Sequence, residues 1–388
     1  MKRFIVSAER ALRGFLVYPL FRLLFRNQHV AVPYDLSRVH SILILRYDKI
    51  GDMIVTLPVF RILRERNRQL RIDVVASEAN AVVLRNERNV NSVFVLYRNP
   101  VKLLREFYRI RRSRPDVVLN FIFNRITSGG LIANLLCPNA LKVGQGPEKY
   151  GFYFNVLLSL PRGSIHMLDM LVMYVERVFG LAVADDEKRL QFPVDSSAAA
   201  KVKLFLENHG LSGRFEENEK RSRFVVFNTS AGQKNNRLSI KQATSIAAFL
   251  GNEMCVKAVV ISAPEDRNRA RRIVSEAKTA CCTYFPETED SSLSEVASLL
   301  GAAASVITPN TAIVHLASAM ATPVLGIFTP LQVNQEWMPY GVRYELVSAP
   351  SGQPTSAIPS KHLLDGIRRF LETVPGLRPV NNPQQRNV

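Results

Sequence analysis

The stretch Ser41-Ile-Leu-Ile-Leu-Arg-Tyr-Asp-Lys-Ile-Gly-Asp52 decides the fold class. Its first five residues form a short apolar, β-rich run, the mark of a strand covered on both faces. A polar loop follows, and then an apolar series, Ile54, Leu57, Phe60, Ile62 and Leu63, that roughly keeps helical spacing to about residue 67. Pro58 falls early in that series, where a first turn tolerates the missing N–H. The alternation then repeats: strand 72–76, a helix over 80–85, strand 92–96, a basic helix over 100–114 and strand 116–120. A helix over 167–179 closes this part. Strands alternating with helices predict an α/β fold with a parallel sheet wrapped by helices.

A second series starts at residue 224. Strands are predicted at 224–227, 257–261, 305–308 and 324–327, with helices at 240–250, 267–278, 293–303 and 312–321 and a last helix at 361–374. Between the two series the pattern loosens, with one helix over 196–209 and a charged run over 214–223, so the boundary falls near Gln191. Two domains also suit 388 residues, since a domain averages about 150. With 47% hydrophobic and 22% charged residues, both halves can bury a core. Two doubly wound halves in tandem place a ligand cleft at the carboxyl ends of their strands.

The charge narrows the partners. Lys and Arg number 51 against 33 Asp and Glu, a net +18, which favours polyanions: nucleic acid, an anionic membrane or phosphorylated substrates. No C-x-x-C, no zinc-like Cys/His cluster and no RNA-binding aromatic signature occurs, which argues against nucleic acid. Cys137, Cys255, Cys281 and Cys282 do not form a secreted disulfide framework, and a reducing cytoplasm is expected.

Residues 1–35 are read as a basic amphipathic membrane-interface segment. Lys2, Arg3, Arg10, Arg13, Arg22 and Arg26 interleave with Phe4, Ile5, Leu12, Phe15, Leu16, Leu20, Phe21, Leu23, Leu24 and Phe25. Glu9, Arg10 and Arg13 interrupt what a signal peptide would keep apolar, and the longest uncharged piece is too short to span a bilayer. Cations and apolar side chains together suit the interface of an anionic membrane; a helix packed on the protein is the other reading. Residues 296–335 hold no charged side chain, yet Pro309, Pro323 and Pro330 break them into pieces far shorter than a span.

Three loops carry candidate chemistry. Arg46-Tyr-Asp-Lys-Ile-Gly-Asp52 joins the first strand to its helix; Gly51 permits a tight turn and close ligand approach, and Asp52 is either a helix cap or a reactive carboxylate. Asn228-Thr-Ser-Ala-Gly-Gln-Lys-Asn-Asn-Arg237 is either a solvated turn or a phosphate loop with Lys234 and Arg237. Thr308-Pro-Asn-Thr-Ala-Ile-Val-His315 opens another helix, with Thr311 and His315 four positions apart on one helical face. A lone His is more often structural than catalytic. Glu265 and Asp266 end a further strand, as ribose partners or as capping acids. Neither G-x-x-x-x-G-K-[ST] nor G-x-G-x-x-G is present in the first loop, which excludes a Walker loop and an NAD fingerprint there.

Taken in order, Ile50-Gly51-Asp52 with Thr56-Leu57-Pro58, and His315-Leu316-Ala317 with Thr322-Pro323, resemble the lipopolysaccharide heptosyltransferase family, over about residues 41–329. The segment from His166 with Asp169 is similar to the one that closes that family's first half. In three places the chain departs from the family pattern: Asn310 stands for an aspartate, Ala312 for a glycine, and Asn236 for a lysine, with Arg237-Leu238 after it. The resemblance implies two Rossmann-like domains facing across a cleft, the GT-B architecture, and an inverting, metal-independent sugar transferase without a cofactor. Residues 36–190 would bind the acceptor, 191–223 form a linker, 224–350 bind the nucleotide-diphospho-sugar, and 351–388 form a terminal helix and polar tail.

It also implies roles. Asp52 is the catalytic base, with Arg46, Lys49 and Gly51 on the acceptor side. Thr229, Ser230, Gly232, Lys234, Asn236 and Arg237 hold the donor diphosphate; Glu265 or Asp266 meets the ribose; Asn310, Thr311, Ala312 and His315 meet phosphate or sugar. The donor expected is ADP-heptose or a related nucleotide sugar and the acceptor a lipid-linked glycan at the inner face of the cytoplasmic membrane. A non-catalytic protein that binds nucleotide sugars and keeps this fold is the other reading. Removing residues 1–30 is expected to release the protein from anionic vesicles in a co-sedimentation assay, and unchanged sedimentation would remove the case for the segment as an anchor.

Overall fold

The computed structural model describes residues 18–25, 27–124, 126–214, 222–287, 290–330 and 335–377. Residues 1–17, about half of the expected membrane segment, the centre of the charged run at 214–223 and the polar tail from 378 lie outside them. The chain divides into two compact units, residues 1–162 with 168–188, and residues 163–167 with 189–388.

In the first unit, strands β1 (Ser41–Leu45), β2 (Arg71–Ser77), β3 (Ser92–Leu96), β4 (Val117–Asn120), β5 (Leu141–Gln145) and β6 (Val156–Leu158) form one parallel sheet in the order β3-β2-β1-β4-β5-β6. Apart from its first residue, β1 is buried along its length, as its unbroken apolar run requires. After α1 (Tyr18–Leu24), helix α2 (Ile50–Arg66) crosses from β1 and is buried from Gly51 to Phe60. Pro58 is therefore not in its first turn. It lies eight residues in, where the helix forgoes the bond to the Ile54 carbonyl; burial on all sides offsets a cost of about 3 kcal/mol. Helix α3 (Pro100–Ser113) starts where the Asn99 side chain accepts the Val101 and Lys102 amides and Pro100 presets the backbone. The segment expected as a helix over 80–85 is only a short 3₁₀ turn, Ala81–Leu84.

The sequence reading contains no counterpart of α4 (Ile126–Leu136), β5 or β6. Close packing explains α4: a Cβ on Gly129 would stand 2.3 Å from the Asn120 side chain, and one on Gly130 2.5 Å from the Tyr153 ring. The two glycines let this helix lie directly on the end of β4 and on the aromatic turn Glu148–Tyr153. Phe21 and Phe25 also pack toward Tyr153, with ring centroids 6.2 and 6.0 Å away. That part of the amino-terminal segment lies on the protein, while Leu23 and Leu24 stay exposed. The unit's last helix is α5 (Met167–Phe179).

The second unit repeats the plan. It contains α6 (Ser196–Asn208), β7 (Phe224–Asn228), α7 (Ile240–Ala248), β8 (Lys257–Ile261), α8 (Arg267–Glu276), β9 (Cys282–Tyr284), α9 (Leu293–Ala302), β10 (Ser305–Pro309), α10 (Ala312–Ala319), β11 (Val324–Phe328), β12 (Tyr344–Ser348) and α11 (Ser360–Glu372). The parallel strand order is β12-β11-β10-β7-β8-β9. Counted within the unit, both sheets run 3-2-1-4-5-6, the doubly wound order. The edge strand β9 is three residues long, and β12, Tyr-Glu-Leu-Val-Ser, is largely uncovered and lacks a continuous apolar run. Residues 191–223, expected as a linker, include α6, which packs on α9 with Lys201 and Glu295 3.1 Å apart. The uncharged residues 296–335 hold most of α9, then β10, α10 and β11, and among the described residues no helix is long and apolar enough to cross a membrane.

Gly130→Ala is expected to force Tyr153 or α4 to shift and to destabilise the first unit by about 1–3 kcal/mol, measured by urea denaturation. A wild-type midpoint would show that the approach is not tight.

Candidate active site

In each sheet the winding direction reverses beside the first strand, between β1 and β4 and between β7 and β10, and ligands of open α/β sheets sit at the carboxyl ends there. Both reversal points are closed by a side chain that the end of the first strand supplies.

In the first unit this is Arg46, 1% exposed. Its Nη1 donates across the reversal point to the Phe121 carbonyl at 2.6 Å and to Asp48 Oδ2 at 3.2 Å. Its Nε donates to the Asp52 carbonyl at 3.1 Å and to Thr56 Oγ1 at 3.0 Å, and Thr56 Oγ1 bonds back to the same carbonyl at 2.8 Å. Nη2 lies 3.6 Å from Asp52 Oδ1 and has no hydrogen-bond partner among the described residues. A guanidinium so enclosed orients two carboxylates and, at 1% exposure, has little surface left for the acceptor-side contact expected of Arg46.

Asp52 occupies the third position of α2. Its Oδ2 accepts the Lys49 amide at 3.2 Å, half of a capping box, so the cap that the sequence allows is formed. Its side chain is 11% exposed. Gly51 is helical and buried, with no left-handed φ, so no tight turn depends on it. Lys49 is exposed. Asp48, missed in the sequence although inside the motif, is the most perturbed acid of the site. Burial pushes its carboxyl up to about 6; Arg46 opposes the rise and the charge of Asp52 adds to it.

In the second unit the corresponding side chain is Asn228. Its Nδ2 donates to Thr308 Oγ1 at 3.0 Å and to Thr311 Oγ1 at 3.2 Å, and its Oδ1 accepts the Ser230 amide at 3.1 Å. Thr311 caps α10 in an extended conformation, accepting the Ile313 amide. It is outside the helix, so the expected shared helical face with His315 does not exist. Thr229 and Ser230 hold the loop in place: the Thr229 amide donates to the Ile261 carbonyl, its carbonyl accepts Arg269, and Ser230 Oγ accepts the Ala263 amide. Neither amide remains for a phosphate. Gly232 is exposed and a Cβ there would meet nothing.

Lys234 and Glu265 are exposed, and Asn310 and Ala312 are half-buried. Asp266 is committed to Arg237, with Nη2 to Oδ2 at 3.0 Å, so it steadies that cation and is not left for a ribose. Arg237 keeps 39% of its side chain in solvent. Asn236 is 3% exposed; its Nδ2 reaches the Asn310 carbonyl at 3.4 Å, and its Oδ1 has no partner among the described residues.

His315 is buried among aromatic groups. Its ring lies 5.8 Å from Trp337, edge-on, and 6.4 Å from His166. His166 stacks on Tyr340 at 4.4 Å, and Nε2 lies 3.1 Å from the Met338 carbonyl. Burial lowers the His166 pKa to about 4, which leaves this ring neutral near pH 7. Trp337, the chain's single tryptophan, was the one available sequence signal for this cluster. Arg269 had none, and Thr308 was visible only as the first residue of its loop.

A family model, Glycosyltransferase family 9 (heptosyltransferase), matches residues 149–362, more than half of the chain. The chain belongs to this family. It is a glycosyltransferase that draws on a nucleotide-sugar donor. Its fold is similar to that of a family 9 glycosyl transferase from Veillonella parvula DSM 2008, at TM-score 0.70 and 16% identity over 88% of this chain and 99% of the other. It is also similar to the E. coli ADP-heptose lps heptosyltransferase II (0.65, 16%, 86% and 98%) and to E. coli heptosyltransferase WaaC with ADP-2-deoxy-2-fluoro heptose (0.64, 18%, 86% and 99%). These likenesses show the GT-B fold. No curated relative matches in sequence.

The folded state holds the Asp48 proton more tightly than an unfolded chain with its value near 3.8. The contribution to stability is therefore fully present below about pH 4 and falls as pH rises to about 6, by at most about 3 kcal/mol. Urea midpoints across this window should slope downward in the wild type and lose that component in Asp48→Asn; equal slopes would contradict it.

Proposed function

We propose that this glycosyltransferase moves a heptose or closely related sugar from an ADP-linked donor to a hydroxyl of a lipopolysaccharide core or similar lipid-linked glycan, with inversion. The observation that carries the reading is the Asp52 carboxylate, 11% exposed in the first turn of α2 and oriented by the Lys49 amide and the Arg46 guanidinium. A base must be oriented before its substrate arrives, and this one is. Asp52 removes the acceptor proton as the hydroxyl oxygen attacks the anomeric carbon, and the bond to the donor diphosphate breaks in the same displacement.

The departing diphosphate gains negative charge. Lys234 and the exposed part of Arg237 supply positive charge to it. Support for ADP-heptose comes from the family and from the two E. coli neighbours, whose names carry it. A net charge of +18 suits a phosphorylated acceptor and work at the inner face of the cytoplasmic membrane.

The test is release of nucleoside diphosphate from ADP-, UDP- and GDP-sugars with a truncated lipopolysaccharide acceptor. ADP-heptose is expected to turn over, and Asp52→Asn to lower kcat by about 10²–10⁴-fold with nucleotide binding retained. Undiminished turnover in that variant would remove Asp52 as base. Binding without turnover of any donor would favour a non-catalytic sugar-nucleotide protein.

A further inference from the structure

Four of the nine exposed large hydrophobic side chains among the described residues lie together in the first unit. Val101, Leu104 and Tyr108 on α3 are 75%, 66% and 60% exposed, and Leu135 at the end of α4 is 56% exposed. The spacing of three and four residues sets the first three on one ridge of α3. Glu106 and Ile110 lie on the covered side. Arg111 donates to the Leu135 carbonyl at 2.8 Å, which joins the two helices into one patch.

The ridge has a cationic rim. Helical periodicity places Arg111 along one flank and Arg105 and Arg112 along the other, all exposed. From Arg98 to Arg114 the chain carries seven cations and one acid, Glu106, which is buried and bound to Arg109 at 2.8 Å. On α3, then, no exposed acid answers these cations. Arg112 lies over the Tyr108 ring at 5.6 Å, so cation and aromatic share one place on the surface.

An apolar ridge between rows of arginine is the form of a helix that lies in a bilayer interface. Nucleic acid would use the cations and leave Val101 and Leu104 in water, whereas an anionic lipid surface accepts both. We propose that the outward ridge of α3, with Leu135, docks the first unit onto an anionic phospholipid surface. The apolar tips enter the acyl boundary and the guanidinium groups meet lipid phosphates. This rests on the membrane-facing part of the proposed function and gives it a surface separate from residues 1–35.

The full chain is tested on phosphatidylglycerol-containing vesicles and on pure phosphatidylcholine, by co-sedimentation and by amide exchange over residues 100–113. Slowed exchange there is expected with anionic vesicles only. Arg105→Gln with Arg112→Gln should weaken binding by about fivefold for each charge removed. Leu104→Ser with Tyr108→Ser should weaken binding and leave turnover on a soluble, delipidated acceptor unchanged. Variants that bind like the wild type, with exchange unaltered, would overturn the α3 site while leaving a membrane contact elsewhere. A wild type that ignores anionic vesicles would overturn the site and the membrane reading together. Protection by single-stranded RNA and not by vesicles would overturn it in favour of nucleic acid. Because the vesicle readout does not depend on turnover, the transferase reading fails or stands separately.

Discussion

A guanidinium taken out of water must find both charge and hydrogen-bond acceptors inside the protein, and Arg46 finds them at the point where the first sheet reverses direction. Two carbonyls, one hydroxyl and two carboxylates converge on it. The consequence is structural before it is chemical. The end of β1, the loop after β4 and the first turn of α2 are fixed to one another through a single planar group. Removing one partner from such a buried pair costs about 3–5 kcal/mol, because the other charge is left without compensation. Asp48 and Asp52 both lie against this cation, and burial raises the Asp48 carboxyl in spite of it.

The second unit solves the same topological problem without charge. Asn228 stands where Arg46 stands, at the end of the first strand, and joins β7 to β10 through two threonine hydroxyls. A neutral amide can be satisfied by hydroxyls and backbone alone, so the cations nearby, Lys234 and Arg237, keep exposure toward solvent. The charged lock suits a carboxylate that must keep one orientation. The neutral lock suits a surface that receives a charged ligand.

Much of the fold was legible from local pattern. The strands 41–45, 92–96 and 257–261 match the observed elements residue for residue; for 41–45 and 257–261, buried beyond their first residue, the reason is that a strand covered on both faces must be apolar almost throughout. Elements set by contact escaped. Helix α4 contains two glycines whose value lies in what they touch, Asn120 and Tyr153, and β6 and β9 are three residues long. Of the site, the three loops were visible as loops, but their internal assignments were not. Thr229, Ser230 and Thr311 read as ligand contacts and are hydrogen-bonded into the scaffold. Arg237 and Asp266 read as two separate contacts and are one ion pair.

The sequence by itself determined the α/β class, the two repeating series, the basic character and the loops that end the first strands, since these follow from residue order and local periodicity. Only the tertiary structure decided which polar groups remain for chemistry. That choice is made by partners distant in the chain, Phe121 for Arg46, Thr308 for Asn228 and Asn310 for Asn236, and no local pattern records them. It also decided that Val101, Leu104, Tyr108 and Leu135 stay uncovered. A helix's polar–apolar pattern shows which side is able to be buried, and the neighbours that the fold supplies decide which side is.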